Sequence, residues 1–306
     1  MTQAAPTPAT DKFVNANGLE LCYQEFGAAS APPILLIMGL GTQLTAWPDD
    51  FCSQLAEAGL RVIRFDNRDV GLSSKIDDAR DYDSPRWAFV KSLLGKNINA
   101  PYKLHDMAAD TLALMDALKL KRVHVVGASM GGMIAQILTA QHPDRVASLT
   151  SIMSSSGAGG LPQGKPKVLW RLGKRPASKE PEEIVKHLVT TMRMIGSPNL
   201  QRSREAWAEQ IRKGIARSYY PPGTTRQLLA VMASGSREDL LKKIQTPSLV
   251  IHGDADPLVP LAHGEHTAKS IPGARMEIIP GMGHDLPPPL ISKLAGMISE
   301  HALASQ

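Results

Sequence analysis

The segment RVHVVGASMGGMIAQIL (122–138) admits few folds. Residues 122–129 read as a strand, and 130–143 as a helix. The handover between them is Gly127-Ala128-Ser129-Met130-Gly131, a G-x-S-x-G pattern in the strand–turn–helix context that gives the pattern its meaning. Such a turn is tight enough to force the residue at its apex into sparsely populated backbone angles, at a cost of about 1–3 kcal/mol. Side chains at 127 or 131 would collide with the turn, so both are glycine. The turn lifts the Ser129 hydroxyl clear of the sheet, at a helix N-terminus whose dipole favours developing negative charge.

The rest of the chain repeats this alternation. KFVNANGLELCYQEFG (12–27) reads as two strands joined at Asn17-Gly18, a hairpin turn signal. PILLIMG (33–39), RVIRFDN (61–67), VASLTSIMSS (146–155), PSLVIHGD (247–254) and ARMEIIPG (274–281) read as further strands. Helical spacing falls at 45–59, 106–120, 261–271 and 289–303. From 157 to 245 no convincing strand occurs, only Pro/Gly joints and helical segments near 181–195, 201–217 and 224–233. The expected architecture is α/β: a doubly wound, mostly parallel sheet built from 12–156 and 246–306, with a helical cap inserted over 157–245 and a disordered tail at 1–11. In such sheets ligands bind at the carboxyl ends of the strands, so the informative loops are those that follow strands.

Composition narrows the function classes. The chain has 306 residues, 43% hydrophobic, enough for one large core with an inserted subdomain. A net charge of +5 is mild for this length and gives no footing for nucleic-acid binding. The two cysteines, Cys22 and Cys52, have no metal-ligand spacing and make no disulfide framework, so two free buried thiols in a reducing compartment are expected. MTQAAPTPAT lacks the basic and apolar regions of a signal peptide, and no apolar run approaches a membrane span. A soluble, cytoplasmic protein, monomeric or homodimeric, is expected.

A serine at its free pKa is a weak nucleophile and needs a base, which in turn needs an orienting group. His284 follows a strand in the loop GMGHDLP, between glycines that leave its ring free to approach Ser129. The other downstream histidines are poorer candidates: His252 lies inside a strand, His263 and His266 on a helix, and His301 near a fraying end. Asp254 and Asp256 compete for the acid in the loop HGDADPLVP. Asp256, further along and followed by Pro257, is preferred, with Asp254 capping its own turn. Asp285 is too close in sequence to reach the neighbouring ring. A tetrahedral oxyanion needs two backbone donors: Met130, next to the serine, and Leu40 or its neighbour Gly39 after strand 33–39. This chemistry needs neither a metal nor an organic cofactor, and its partner is a small-molecule ester.

At these residues the chain resembles the α/β-hydrolase superfamily from about residue 13 onward. FDNRDVGLSS (65–74) is similar to the superfamily's D-x-R-G-x-G-x-S turn, with Asp69 in place of a glycine. GASMGGMIAQ (127–136) and HGEHTAKSIPGARMEIIPGMGHDLP (263–287) resemble the bacterial esterase branch that includes the aclacinomycin methylesterases, which cleave a methyl ester on a polyketide. The resemblance implies Ser129, Asp256 and His284 as a triad, with Leu40 and Met130 as oxyanion donors. The cap carries no diagnostic stretch.

Several readings stay open at this level. The same triad serves lactonases, C–C bond hydrolases, acyltransferases and cofactor-free perhydrolases, and a small-molecule receptor could retain it. Asp66, Asp69 and Arg68 are expected to hold their turn, the alternative being that Arg68 meets an acidic substrate group. About half of the basic residues but only about a quarter of the acids fall in the cap, which fits a solvated face or a guide for anionic or lipid-surface substrates. Leu188, Met192, Met194 and Trp207 fit either an acyl pocket or plain core packing.

Overall fold

Why the chain forms one sheet with two covered faces follows from its buried strands. The computed structural model describes residues 9–200 and 202–305. Its strands are β1 (Lys12–Ala16), β2 (Leu19–Phe26), β3 (Pro33–Ile37), β4 (Arg61–Phe65), β5 (Val123–Ala128), β6 (Val146–Ile152), β7 (Ser248–Gly253) and β8 (Arg275–Ile279). They lie in the order β1-β2-β4-β3-β5-β6-β7-β8. Pairing is antiparallel from β1 through β2 to β4 and parallel from there to β8. The hairpin between β1 and β2 turns at Asn17 and Gly18, both at positive φ, as an Asn-Gly turn requires.

The helices are α1 (Asp49–Glu57), α2 (Pro85–Leu93), α3 (Leu104–Ala117), α4 (Met130–Gln141), α5 (Pro166–Leu172), α6 (Pro181–Ile195), α7 (Arg204–Arg217), α8 (Pro221–Ser234), α9 (Glu238–Leu241), α10 (Leu261–Ser270) and α11 (Ile291–Leu303). Alternate residues of one strand serve opposite faces: Leu35 and Ile37 join a core with α3 and α4, while Ile34 and Leu36 join a core with α1 and α11. Burial on both faces is why β3 reads as a continuous apolar run rather than an alternating one.

Five helices, α5–α9, intervene between β6 and β7. They are tied to the loops that follow strands. Gln43, beyond β3, donates through its side-chain amide to the carbonyls of Gly214 and Ser218, at 2.7 Å each. Arg217 donates to Asp66, beyond β4, at 2.7 Å. Gln227 of α8 accepts from the Gly41 amide at 2.8 Å and donates to the Arg68 carbonyl at 2.7 Å. Trp207 packs with Val185, Val189 and Met192 in a small core between α6 and α7, so Trp207 and Met192 are packing residues.

Three departures from expectation have physical causes. Asp11, expected in the tail, is held by Gln24 at 2.8 Å and Arg217 at 3.1 Å, contacts with distant residues that local sequence does not announce; residues 1–8 of that tail lie outside the described residues. His301, expected at a fraying end, is buried in α11 and bonds the Leu149 carbonyl at 3.2 Å. Helices α2 and α5 escape the sequence reading because neither has an apolar stripe on one face.

Both thiols are free and buried, and burial pushes each up to about 12, leaving almost no thiolate at neutral pH. Native protein is therefore expected to resist a thiol-reactive chromophore at pH 7.5, with two thiols reacting once denaturant is added. Fast labelling of either cysteine in the native state would contradict this packing.

Candidate active site

The sheet reverses its winding at β3, which lies between β4 and β5, so the loops after β3 and β5 diverge and leave a crevice. Ser129 stands beside it. Its φ of 54° and ψ of −120° are the strained angles expected at the apex. The turn is held by its neighbours: the Ser129 amide donates to the Ile152 carbonyl at 2.9 Å, and the Ser129 carbonyl accepts from Gly132 at 3.0 Å and from the Ser154 hydroxyl at 2.7 Å. A methyl group at 127 would overlap the Gly131 carbonyl, and one at 131 would overlap the Ile37 carbonyl. Both glycines are thus dictated by close backbone approach, one within the turn and one between α4 and β3.

The Ser129 hydroxyl lies 3.0 Å from Nε2 of His284, and Nδ1 of His284 lies 2.7 Å from Asp256. The other oxygen of Asp256 accepts from the amides of Leu258 and Val259, at 2.9 and 2.8 Å. These bonds fix the carboxylate's orientation towards the ring. The three side chains come from loops after β5, β7 and β8, and both His284 and Asp256 are buried.

The competing candidates take other partners. Asp254 accepts from the Gly281 amide at 2.7 Å, bracing the loop before His284 rather than its own turn. Asp285 faces Ser197 at the end of α6, accepting from its hydroxyl at 2.6 Å and its amide at 2.9 Å. Burial holds the Asp285 carboxyl above its usual range despite those bonds. His252 donates to the Val259 carbonyl at 2.8 Å and lies beneath Asp256, 3.7 Å away. His263 and His266 meet Ser155 and Ser156 at 2.7 and 2.9 Å, on the far side of the loop after β6.

Gly283 serves a purpose other than freeing the ring. A methyl group there would overlap the Gly196 backbone, because the His284 loop packs directly on the end of α6. The His284 amide donates to the Ile195 carbonyl at 2.8 Å, and Ser197 accepts from the Gly283 amide at 2.8 Å. Ser197 and Gln227 were invisible in the sequence, because each acts on backbone about 86 or more positions away.

The loop Met38-Gly39-Leu40-Gly41 faces the serine. A methyl group on Gly39 would sit 3.1 Å from the Ser129 β-carbon. Gly41, at φ 67°, is pinned by Gln227, and Thr42 caps the Gly39 carbonyl at 2.8 Å. Among the described residues the amides of Leu40 and Met130 donate to no protein acceptor. Beneath this loop, Asp66 accepts from the amides of Leu44 and Leu72 at 2.7 and 2.9 Å, and Asn67 donates to the Met38 carbonyl at 2.9 Å. Arg68 forms a two-pronged pair with Asp110, at 2.5 and 2.6 Å, and so is engaged within the protein. Asp69 sits at φ 71°, a backbone conformation that favours glycine. Burial raises its carboxyl, but bonds from Arg226, the Ile76 amide and Tyr102 outweigh that and leave it lowered. Met194 lines a groove of about 240 Å³ beside Lys165, Gly196 and Pro257; Leu188 is half-buried on α6. No group of three His, Cys, Asp or Glu side chains among the described residues could hold a metal ion.

Comparison with known proteins identifies the fold family. A family model described as alpha/beta hydrolase fold matches residues 32–287. A rhodomycin D methylesterase from Streptomyces is 29% identical over 315 residues, covering 96% of this chain and 98% of that protein. A poly(3-hydroxyalkanoate) depolymerase from Ectopseudomonas oleovorans is 32% identical, covering 83% and 78%. Among solved structures, a meta-cleavage product hydrolase from Pseudomonas fluorescens superposes with a TM-score of 0.75 at 17% identity, covering 96% of this chain and 98% of that one.

The turn gives a direct test. Gly131→Ala is expected to yield insoluble protein, or protein melting well below the parent by circular dichroism, because the methyl group overlaps backbone that cannot retreat. An unchanged melting temperature would contradict the close approach of α4 to β3.

Proposed function

The chain belongs to the alpha/beta hydrolase fold family, and on that premise we propose that it is a serine carboxylic-ester hydrolase working through an acyl-enzyme. The observation that carries this reading is the run of contacts from Asp256 through His284 to the Ser129 hydroxyl, at 2.7 and 3.0 Å. Ser129 attacks the ester carbonyl carbon while Nε2 of His284 takes its proton, and the carbonyl electron pair moves onto oxygen. The amides of Met130 and Leu40, or of Gly39 beside it, hold that oxyanion. Collapse expels the alcohol, which leaves with the proton from His284, and the acyl group stays on Ser129. Water then repeats the sequence, releasing the acid and restoring the serine. Asp256 keeps the imidazole in the required tautomer and stabilises it when charged.

The substrate reading is a small or medium ester, with methyl esters of bulky aromatic acids favoured by the likeness to the rhodomycin D methylesterase. In this reading 12–156 and 246–306 form the core that carries the triad, and 157–245 form a cap that shapes the acyl pocket.

A series of p-nitrophenyl esters from acetate to palmitate, beside methyl esters of bulky aromatic acids, is expected to show multiple turnovers. Ser129→Ala should lower kcat by about a thousandfold or more, and a fluorophosphonate should add covalently at Ser129. Retention of parental hydrolysis by Ser129→Ala sinks the assignment.

A paired substitution separates the two aspartates. Asp256→Asn is expected to lower kcat by about 10³–10⁴-fold by turning the imidazole to the wrong tautomer, while Asp254→Asn stays within about tenfold because it loses only the brace to Gly281. The reverse ranking in steady-state kinetics would reassign the acid.

A further inference from the structure

Helix α2 is unusual for what it leaves uncovered. Trp87, Phe89, Val90, Leu93 and Leu94 are all exposed, Leu93 at 72%, and only Ala88 is buried in the helix. Helix α5 repeats the pattern with Leu169, Trp170 and Leu172 exposed, Trp170 at 65%. The chain has four tryptophans: Trp47 and Trp207 are buried, and the other two are these exposed ones. Single exposed apolar residues are ordinary, but eight large ones on two short helices and the residue that ends the first are not.

Within the two segments that carry them the charges are all positive, although Asp77, Asp81 and Asp83 lie before the first and Glu180, Glu182 and Glu183 after the second. From Ser84 to His105 the chain carries four Lys or Arg residues and no carboxylate. From Arg145 to Lys179 it carries seven and again no carboxylate. Arg86 and Lys96 at the ends of α2, and Lys167 and Arg175 around α5, are exposed, whereas Lys91 pairs with Asp83. The Lys174 ammonium lies over the Trp170 ring, 3.5 Å from its centre.

Each helix packs on a helix that is bonded to a proposed catalytic loop. α2 follows β4 and packs on α8, whose Gln227 holds the Gly41 amide. α5 follows β6 and packs on α6, whose Ile195 carbonyl receives the His284 amide. Each is therefore one helix removed from the site, one beside the proposed oxyanion loop and one beside the His284 loop.

We propose that α2 and α5 form a docking surface for an anionic phospholipid bilayer, on which the protein rests without spanning it. Tryptophan and leucine enter the headgroup–acyl boundary while the flanking Lys and Arg meet phosphates. No described helix is long and apolar enough to cross a membrane. The excess of positive charge along both segments, eleven Lys or Arg residues without a carboxylate, argues against a second copy as the occupant, because two such faces would repel. Taken with the ester-hydrolase reading, on which this one consequence rests, the surface would present the site with esters dissolved in the bilayer.

Binding is measured by flotation with equimolar phosphatidylglycerol and phosphatidylcholine vesicles, and with phosphatidylcholine alone, using both the parent and the Ser129→Ala protein. Both proteins are expected to bind the anionic vesicles at low salt, about tenfold or more weaker without phosphatidylglycerol or in high salt, with a blue shift of tryptophan emission. Leu93→Ser/Leu94→Ser and Arg86→Glu/Lys96→Glu should each weaken vesicle binding about tenfold or more while p-nitrophenyl acetate turnover and circular dichroism stay unchanged. Absence of binding to anionic vesicles, undiminished binding by both variants, or a parent dimer that Leu93→Ser/Leu94→Ser dissociates would each overturn the proposal. Failure of hydrolysis with intact vesicle binding would strike the ester-hydrolase reading alone.

Discussion

Everything at the site depends on one crowded backbone junction. The turn that ends β5 must reverse direction within a few residues, pass under Ile152 and start α4 against the carbonyl end of β3. That space admits no side chain at 127 or 131 and holds Ser129 at angles a free chain avoids. The strain persists because the serine's own amide and carbonyl are satisfied by Ile152, Gly132 and Ser154. A relaxed serine in a surface loop could have the same neighbours in sequence, yet its hydroxyl would sample many directions. The junction removes that freedom before any ligand arrives, which is the form of preorganisation that proposed nucleophilic chemistry needs.

The helices between β6 and β7 add a second constraint. Several of their bonds to the rest of the protein fall on the loops after β3, β4 and β8. Ser197 is the sharpest case: one hydroxyl donates to Asp285 and accepts from Gly283, the two neighbours of His284. Movement of α6 therefore cannot leave the His284 loop unaffected. Asp66 couples the same layers from the other side, since burial raises its carboxyl while Arg217 of α7 and the amides of Leu44 and Leu72 pull against that. A buried pair of this kind contributes little net stability, but removing one partner alone strands a charge, at a cost of about 3–5 kcal/mol. It acts as a register pin more than as glue.

What the sequence disclosed follows from the range of each signal. The strands read correctly because burial on both faces writes itself as continuous apolar runs, and the Asn17-Gly18 turn because positive φ demands those residues. Ser129, His284 and Asp256 could be named because each follows a strand, and topology alone carries such positions to one edge. Gln227, Ser197 and Arg217 could not, since a polar side chain between β6 and β7 looks the same whether it faces water or a backbone amide 186 positions away. Asp69 illustrates a third situation. Its departure from glycine looked like a defect in the motif, and only the paired Arg226 and the Tyr102 hydroxyl explain how a side chain is accommodated there.

Helices α2 and α5 were illegible for a related reason, and that reason bears on their use. Periodicity reveals a helix by the stripe it buries, and these two bury almost nothing: Ala88 in α2 and Val168 in α5. A helix that is apolar on several faces and unburied gains no stability from a core, so it persists only through its ends and its packing on one neighbour. Ser84 caps the start of α2, and α8 supports one side. Such helices are poor contributors to folding, yet each carries a tryptophan, leucines and cations at the edge of the sheet where Ser129 stands. Residues that weaken the folded state of an isolated molecule, placed in two separate excursions from the same edge, are more economically explained by something that covers both than by two independent lapses in packing.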